Sequence, residues 1–247
     1  MLICQNEART FITDSRLAAT LALVAGALNT AAFEALGFFS ANMTGNVSLI
    51  SDRLAHTELP LALFFLAIVC LFICGSAFST LLINHGRRHG KRSVYAINIL
   101  LEAVLLLLLG MNEICFPSAS SGTLMILSLS FLMGLQNAVV TRISNARVRT
   151  THVSGTATDI GIELAMLLDI LRRRESPEYT PIYLQRLMLH GATVTAFLLG
   201  GVGGIWLYQW TGKGFLLVTG AFLALLALGY LYKARRQAAG GKQGATP

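Results

Sequence analysis

Charged residues are scarce in this sequence. Asp, Glu, Lys and Arg make up 13% of the 247 residues, against about 25% in an average soluble domain. The few charges cluster in short runs between long apolar stretches, whereas a soluble domain mixes the two kinds of residue at helical or strand period. This scarcity and clustering exclude an ordinary water-soluble protein.

Motifs for energy-driven and metal-dependent chemistry are also lacking. The sequence has no GxxxxGK[ST] phosphate-binding loop and no HExxH pair, so it offers neither an ATPase site nor a recognisable zinc site. The four cysteines show no disulfide or metal-binding spacing. His152 lies two residues from Ser154, a spacing that seldom allows base and nucleophile to face each other. We predict no enzyme activity, no metal and no cofactor.

Six apolar stretches are long enough to cross about 30 Å of hydrocarbon as helices. Since 54% of the residues are hydrophobic and these runs do not alternate in polarity, helices and not barrel strands are predicted. The predicted spans are residues 17–39, 59–83, 93–111, 122–143, 187–210 and 214–232. A further segment, 153–171, is predicted to dip into the membrane without crossing it.

Basic residues predict the orientation. Seventeen of the nineteen Lys and Arg residues fall in the two termini, the second connection and the fourth connection, and only Arg53 and Lys213 lie on the other side. By the positive-inside rule both termini are predicted to be cytoplasmic. The net charge of +7 is therefore interpreted as juxtamembrane charge and not as a nucleic-acid surface.

The chain resembles itself at an offset of 108 to 110 residues. Gly26-Ala27-Leu28-Asn29 matches Gly134-Leu135-Gln136-Asn137, and Met43-Thr44-Gly45-Asn46 matches Val153-Ser154-Gly155-Thr156. Three crossings per copy is an odd number, so the second copy must be inverted, as in many transporters. We predict an all-α integral membrane protein with one membrane domain over 1–247. Repeat one spans 17–111 and repeat two 122–232, each with a short re-entrant or half helix, between tails 1–16 and 233–247.

The two Thr/Ser-Gly triplets are predicted to cap these half helices and to aim free N–H groups at a cavity between them. The alternative is that they are ordinary caps of interfacial helices. The candidate substrate-binding residues are Asn29, Asn42, Thr44, Gly45, Asn46, Gln136, Asn137, Thr151, His152, Ser154, Gly155, Thr156 and Asp159. Three carboxylates that are costly in lipid are proton-coupling candidates: Glu102, Asp159 and Glu163.

Gly200 and Gly204 form a GxxxG pair in the fifth span. Such a face lets another helix approach closely, within the chain or in a second copy. A homo-oligomer through this face is one prediction, and packing inside the chain is the simpler alternative.

The motifs Asn42-Met43-Thr44-Gly45-Asn46, Met133-Gly134-Leu135-Gln136-Asn137-Ala138 and Thr150 to Asp159 resemble the signatures of the YoaK-like family of bacterial membrane proteins. The resemblance covers nearly the whole chain, with Ser154 where Thr is expected. Members are generally described as uncharacterised multi-pass proteins or candidate small-molecule permeases. The resemblance implies a bacterial inner-membrane location, and transport only weakly.

The sequence favours a permease that is embedded in the lipid bilayer and binds a small polar or anionic solute. A non-transporting membrane sensor or scaffold is the alternative, although the soluble domain or long tail expected of one is absent from this sequence. An intramembrane enzyme ranks third.

Overall fold

The computed structural model describes residues 11–91, 93–116 and 121–240. It contains eight α-helices over these residues: α1 (Phe11–Leu36), α2 (Met43–Ala55), α3 (Leu59–Arg88), α4 (Val94–Cys115), α5 (Ser121–Ile143), α6 (Val153–Leu171), α7 (Thr180–Thr211) and α8 (Phe215–Gly240). The described part of the chain has no strand. The predicted tails 1–16 and 233–247 lie partly outside the described residues.

Five continuous helical stretches are long and apolar enough to cross a membrane. The fifth, 177–234, includes both α7 and α8, which meet at Gly212, where φ is +54°. Glycine adopts this left-handed conformation without a Cβ clash, so the chain can reverse there in a short turn. The α6 helix is not among the five; it carries Asp159, Glu163 and Asp169. The prediction of an all-helical membrane protein is confirmed.

Two close helix crossings form the centre of the fold. In one, α1 packs on α7, and a Cβ at Gly26 or Gly200 would collide with the carbonyl of Phe197 or Leu23, respectively. In the other, α3 packs on α5. There a Cβ at Gly75 would meet the Phe131 carbonyl, and one at Gly134 the Phe72 carbonyl. Small residues that let backbones touch are the usual basis of helix association in lipid.

The Gly200/Gly204 face is covered by α1. Gly204 lies against Ala27, and both glycines are buried. The face is therefore not available to a second copy of the chain, and the predicted homo-oligomer through it is wrong. The GxxxG spacing was a correct sign of close packing, but the partner is a helix of the same chain.

Contacts fix the helix directions. Gly200 and Gly204 meet Leu23 and Ala27, so α1 and α7 run the same way. Ser76 Oγ donates to the Gly134 carbonyl (2.9 Å) and Arg142 donates to Asn84 Oδ1 (2.9 Å), so α3 and α5 also run the same way. The α4 and α8 helices pack antiparallel, because Gly110 meets Leu216 while Gly220 meets Ala103.

The short helices α2 and α6 lie against α3 and α7, respectively. After α1 ends at Leu36, the chain returns along it, so that the Ala41 N–H donates to Asn29 Oδ1 at 2.9 Å. After α5 ends at Ile143, the Thr150 hydroxyl similarly reaches Asn137 Oδ1 at 3.3 Å. Since a helix rises 1.5 Å per residue, both returns bring the chain back about 10 Å before the next short helix begins.

Candidate functional site

The first turns of α2 and α6 differ from the predicted caps. The Thr44-Gly45 and Ser154-Gly155 pairs lie inside the first turn of each helix, and residues 42 and 152 occupy the cap position. Asn42 Oδ1 accepts a bond from the Gly45 N–H at 3.1 Å, whereas the His152 side chain makes no capping bond. The prediction that the hydroxyls of Thr44 and Ser154 cap these helices is wrong, because each helix begins one residue before its hydroxyl.

The two glycines have a common structural reason. A Cβ at Gly45 would collide with the Asn42 side chain, and one at Gly155 would collide with the His152 ring. The cap side chain therefore folds over the glycine in both helices. This arrangement places Asn42 and His152 beside the free N–H groups of the first turns, where the helix dipole is positive.

A cavity of about 570 Å³ lies where the two short helices begin. Phe72 and Phe197, near the midpoints of α3 and α7, also line it. Eight predicted residues meet here: Asn29, Asn42, Thr44, Gly45, Asn137, Thr151, His152 and Ser154. We call this space the central cavity.

Most of the lining consists of equivalent positions from the two halves. Asn29 and Asn137 are 108 residues apart, Thr44 and Ser154 are 110 apart, and all four line the cavity. The halves differ in charge, because Arg149 and His152 stand where the first half has Phe39 and Asn42. The described residues that line the cavity include no Asp or Glu.

A second cavity of about 370 Å³ adjoins the central one and shares Arg149 and His152 with it. It contains three more of the predicted residues: Gly155, Thr156 and Asp159. His190 and Thr193 of α7 close its far side. We call it the side cavity.

Two predicted residues line neither cavity. Asn46 and Gln136 are buried. Within the described part of the chain, neither Nδ2 of Asn46 nor the two side-chain polar atoms of Gln136 have a hydrogen-bond partner. A buried amide without a partner is costly. These residues lie one position after Gly45 and one before Asn137, so they point away from the cavity that their neighbours line.

The three proton-coupling candidates lie in different surroundings. Glu102 is fully buried in α4, and no described residue forms a hydrogen bond with either carboxylate oxygen. Asp159 is exposed in the side cavity. Glu163 is buried, with Oε1 2.9 Å from Nδ1 of His190. Only Glu163 among them has a titratable partner at contact distance among the described residues.

Sequence reasoning missed Arg149 and His190. Arg149 makes no hydrogen bond or ion pair with another described residue and lines both cavities. It was counted with the juxtamembrane charge because it lies in a basic connection. His190 lies in an apolar span, where an ionisable residue is unusual and indicates a functional site.

Asn29 allows a test of the re-entrant segment. We expect Asn29→Ala to lower the free energy of unfolding by about 1–3 kcal/mol, because the buried Ala41 N–H loses its acceptor. Asn137→Ala is the matched variant and should cost about 1 kcal/mol or less, since its bond from Thr150 is long and joins two side chains. Unfolding in mixed dodecyl maltoside and SDS micelles measures both, and equal losses would contradict this role of Asn29.

Comparison with known proteins gives the relationship of the chain. A family model described as "Protein of unknown function (DUF1275)" matches residues 17–229. The chain belongs to this family. The match runs from α1 into α8 and includes both short helices and both cavities.

A curated relative of this DUF1275 chain is the UPF0700 transmembrane protein YoaK of Bacillus subtilis (strain 168). The two are 23% identical over 187 residues, which are 75% of this chain and 80% of the relative. No solved structure matches. The resemblance noted from the motifs is thereby confirmed, and the DUF1275 chain is a multi-pass membrane protein.

Proposed function

We propose that the protein is a permease for a small polar or anionic solute, with its substrate site in the central cavity. The observation that carries this proposal is that α2 and α6, one from each half of the chain, begin at the same cavity. Broken or half helices that meet at the repeat interface form the substrate sites of many transporters.

The helix directions support an inverted repeat of three crossings each. The α1 helix runs with α7, and α3 runs with α5. Ser79 Oγ bonds to Asn98 Oδ1 and Gly86 meets Val94, so α3 and α4 are antiparallel. Gly122 at the start of α5 meets Leu36 at the end of α1. In this arrangement the segments 37–58 and 144–179, which contain α2 and α6, each enter and leave on the same side.

The lining favours an anion. Two helix N-termini supply free N–H groups and positive dipole ends, and Arg149 adds a full positive charge. Thr44, Ser154 and the two asparagines Asn29 and Asn137 supply neutral hydrogen-bonding groups. Without an Asp or Glu in the lining, an anion meets no fixed negative charge in the cavity.

Uptake into sealed vesicles tests the permease. Proteoliposomes should accumulate at least one radiolabelled anion from a panel of sulfate, inorganic phosphate and short carboxylates, above the level in protein-free liposomes. Thr44→Val and Ser154→Val remove hydroxyls from equivalent lining positions and should each reduce that uptake. Ser51→Val, which alters an exposed hydroxyl of α2 outside both cavities, is the control. Equal uptake in vesicles with and without protein across the panel would contradict the proposal.

Cysteine labelling in intact cells and inverted vesicles tests the topology. With the native cysteines replaced, probes at Gly90 and Glu178 should react only from the cytoplasm, and probes at Thr57 and Lys213 only from outside. This pattern follows from cytoplasmic termini and a non-crossing α6. Labelling of residue 178 from outside would show that α6 crosses, and would remove the inverted repeat.

A further inference from the structure

We propose that Glu163 and His190 form a proton-binding site that adjoins the anion-binding surface of the permease. The site is a buried contact between α6 and α7: Oε1 of Glu163 lies 2.9 Å from Nδ1 of His190, at ion-pair distance but without the alignment of a hydrogen bond at Nδ1. The side chains are 5% and 14% exposed. The effect of the proton on anion binding rests on the proposed function. The proton-binding site itself does not depend on that function.

Burial makes the contact dependent on one proton. When the imidazole carries it, the pair is an ion pair without net charge. When it leaves, the Glu163 carboxylate remains buried, and its other oxygen, Oε2, has no hydrogen-bond partner among the described residues. An uncompensated buried charge is strongly unfavourable, and histidine is the side chain suited to gain and lose a proton in the physiological pH range.

The pair communicates with the anion site through the side cavity. His190 lines that cavity on one side, and Arg149 and His152, on the other, also line the central cavity. Loss of the proton adds a negative charge next to this cationic surface. Such a charge attracts the Arg149 guanidinium and repels an anion, so a proton and an anion should bind together, each favouring the other.

This arrangement occurs only in the second half of the chain. The position equivalent to Glu163, 110 residues earlier, is Arg53. Gly75 on the Phe131 carbonyl and Gly200 on the Leu23 carbonyl make corresponding contacts 125 residues apart, so the position equivalent to His190 is the buried Phe65. Arg53 is committed to Glu58 at 2.7 Å. Among the described residues of the two halves, these equivalent positions therefore hold an acidic residue and a histidine in the second half alone, so the pair is not packing that both halves need.

Other charged groups surround the pair and must be separated from it by experiment. In the side cavity these groups are Asp159 of α6 and, from the connection before it, Arg147, Arg149 and His152. On α7, the exposed Arg186 lies one turn before His190. Asp159 is the best control, since it is on α6 one turn before Glu163 and lines the side cavity, as His190 does, while the ion-pair partner of His190 is Glu163.

Thermal unfolding of the full chain in detergent tests the proton site without any ligand. Between about pH 6 and about pH 8.5, the melting temperature of the wild-type protein should fall by about 5 °C more than that of Glu163→Gln. His190→Gln should melt lower than the wild type near pH 6, because it removes the positive partner of the carboxylate, and should approach the wild type near pH 8.5, where the wild-type imidazole has lost its proton. Asp159→Asn should keep the wild-type difference. Persistence of the full difference in Glu163→Gln, or its loss in Asp159→Asn, would overturn the proposal.

Sulfate uptake into proteoliposomes separates this inference from the proposed function, because sulfate keeps its charge over this pH range. Uptake should be faster near pH 6 than near pH 8.5, and in Glu163→Gln it should lose this dependence. The expected melting behaviour without uptake would support the proton site and contradict a sulfate permease. Uptake with unchanged melting behaviour in Glu163→Gln would support the permease and overturn the proton site.

Discussion

Replacement of Arg149 by Gln should reduce anion uptake by at least about tenfold, through weaker binding. A hydrogen bond to a charged group contributes about 1.5–3 kcal/mol, and each 1.4 kcal/mol corresponds to about a tenfold change in affinity. Arg149 has no partner among the described residues and lines both cavities, so its charge is available to a ligand. The concentration dependence of initial uptake rates measures the effect.

Two further variants distinguish binding from general charge. Arg149→Lys keeps the positive charge and should retain more uptake than Arg149→Gln, although it loses the planar fork of donors. Arg174→Gln removes an exposed positive charge after α6 that lines neither cavity, and should transport like the wild type. Equal losses in Arg174→Gln and Arg149→Gln would assign the effect to surface potential.

Replacement of Gly200 by Leu should prevent the folded state from forming in useful yield. Its side chain would enter the contact with the Leu23 backbone, which cannot move without displacing α1. Overpacking costs about 1–3 kcal/mol when side chains can adjust and more when they cannot. We expect aggregation in place of a monodisperse peak in size-exclusion chromatography.

Gly203→Leu is the matched control for this variant. Gly203 is on the same helix three residues later, is exposed, and has open space where a Cβ would lie. The same change of residue type should therefore leave the elution profile unchanged. Poor yield of both variants would show that leucine itself, and not the α1 contact, is harmful in this part of α7.

The helices were largely predictable because each hydrophobic run must satisfy its own backbone in lipid. The segment predicted at 153–171 coincides with α6. Cap details were not predictable, because His152 and Asn42 compete with the following hydroxyls for the cap position and packing decides between them. The start of α1 at Phe11 also extends into residues assigned to the tail, since polar residues at a helix end do not end it.

Partners across the fold were less accessible to sequence reasoning. Gly26 and Gly134 were recognised as a repeat, but nothing local to them indicates Phe197 and Phe72 as the residues they contact. The sequence around Arg149 is that of a basic loop, and only the path of the re-entrant segment shows that this residue lines a cavity. The Glu163 and His190 contact likewise depends on how α6 lies on α7, a long-range feature without a sequence pattern.

The glycine crossings also decide which parts of a permease could move. Each crossing joins one helix from each half of the chain, α1 with α7 and α3 with α5. Backbones in direct contact resist sliding, so each pair should behave as one rigid body, with α6 travelling on α7 and α2 on α3. In the permease that we propose, the units expected to move are therefore these two mixed helix pairs and not the two sequence repeats, with the central cavity opening between them.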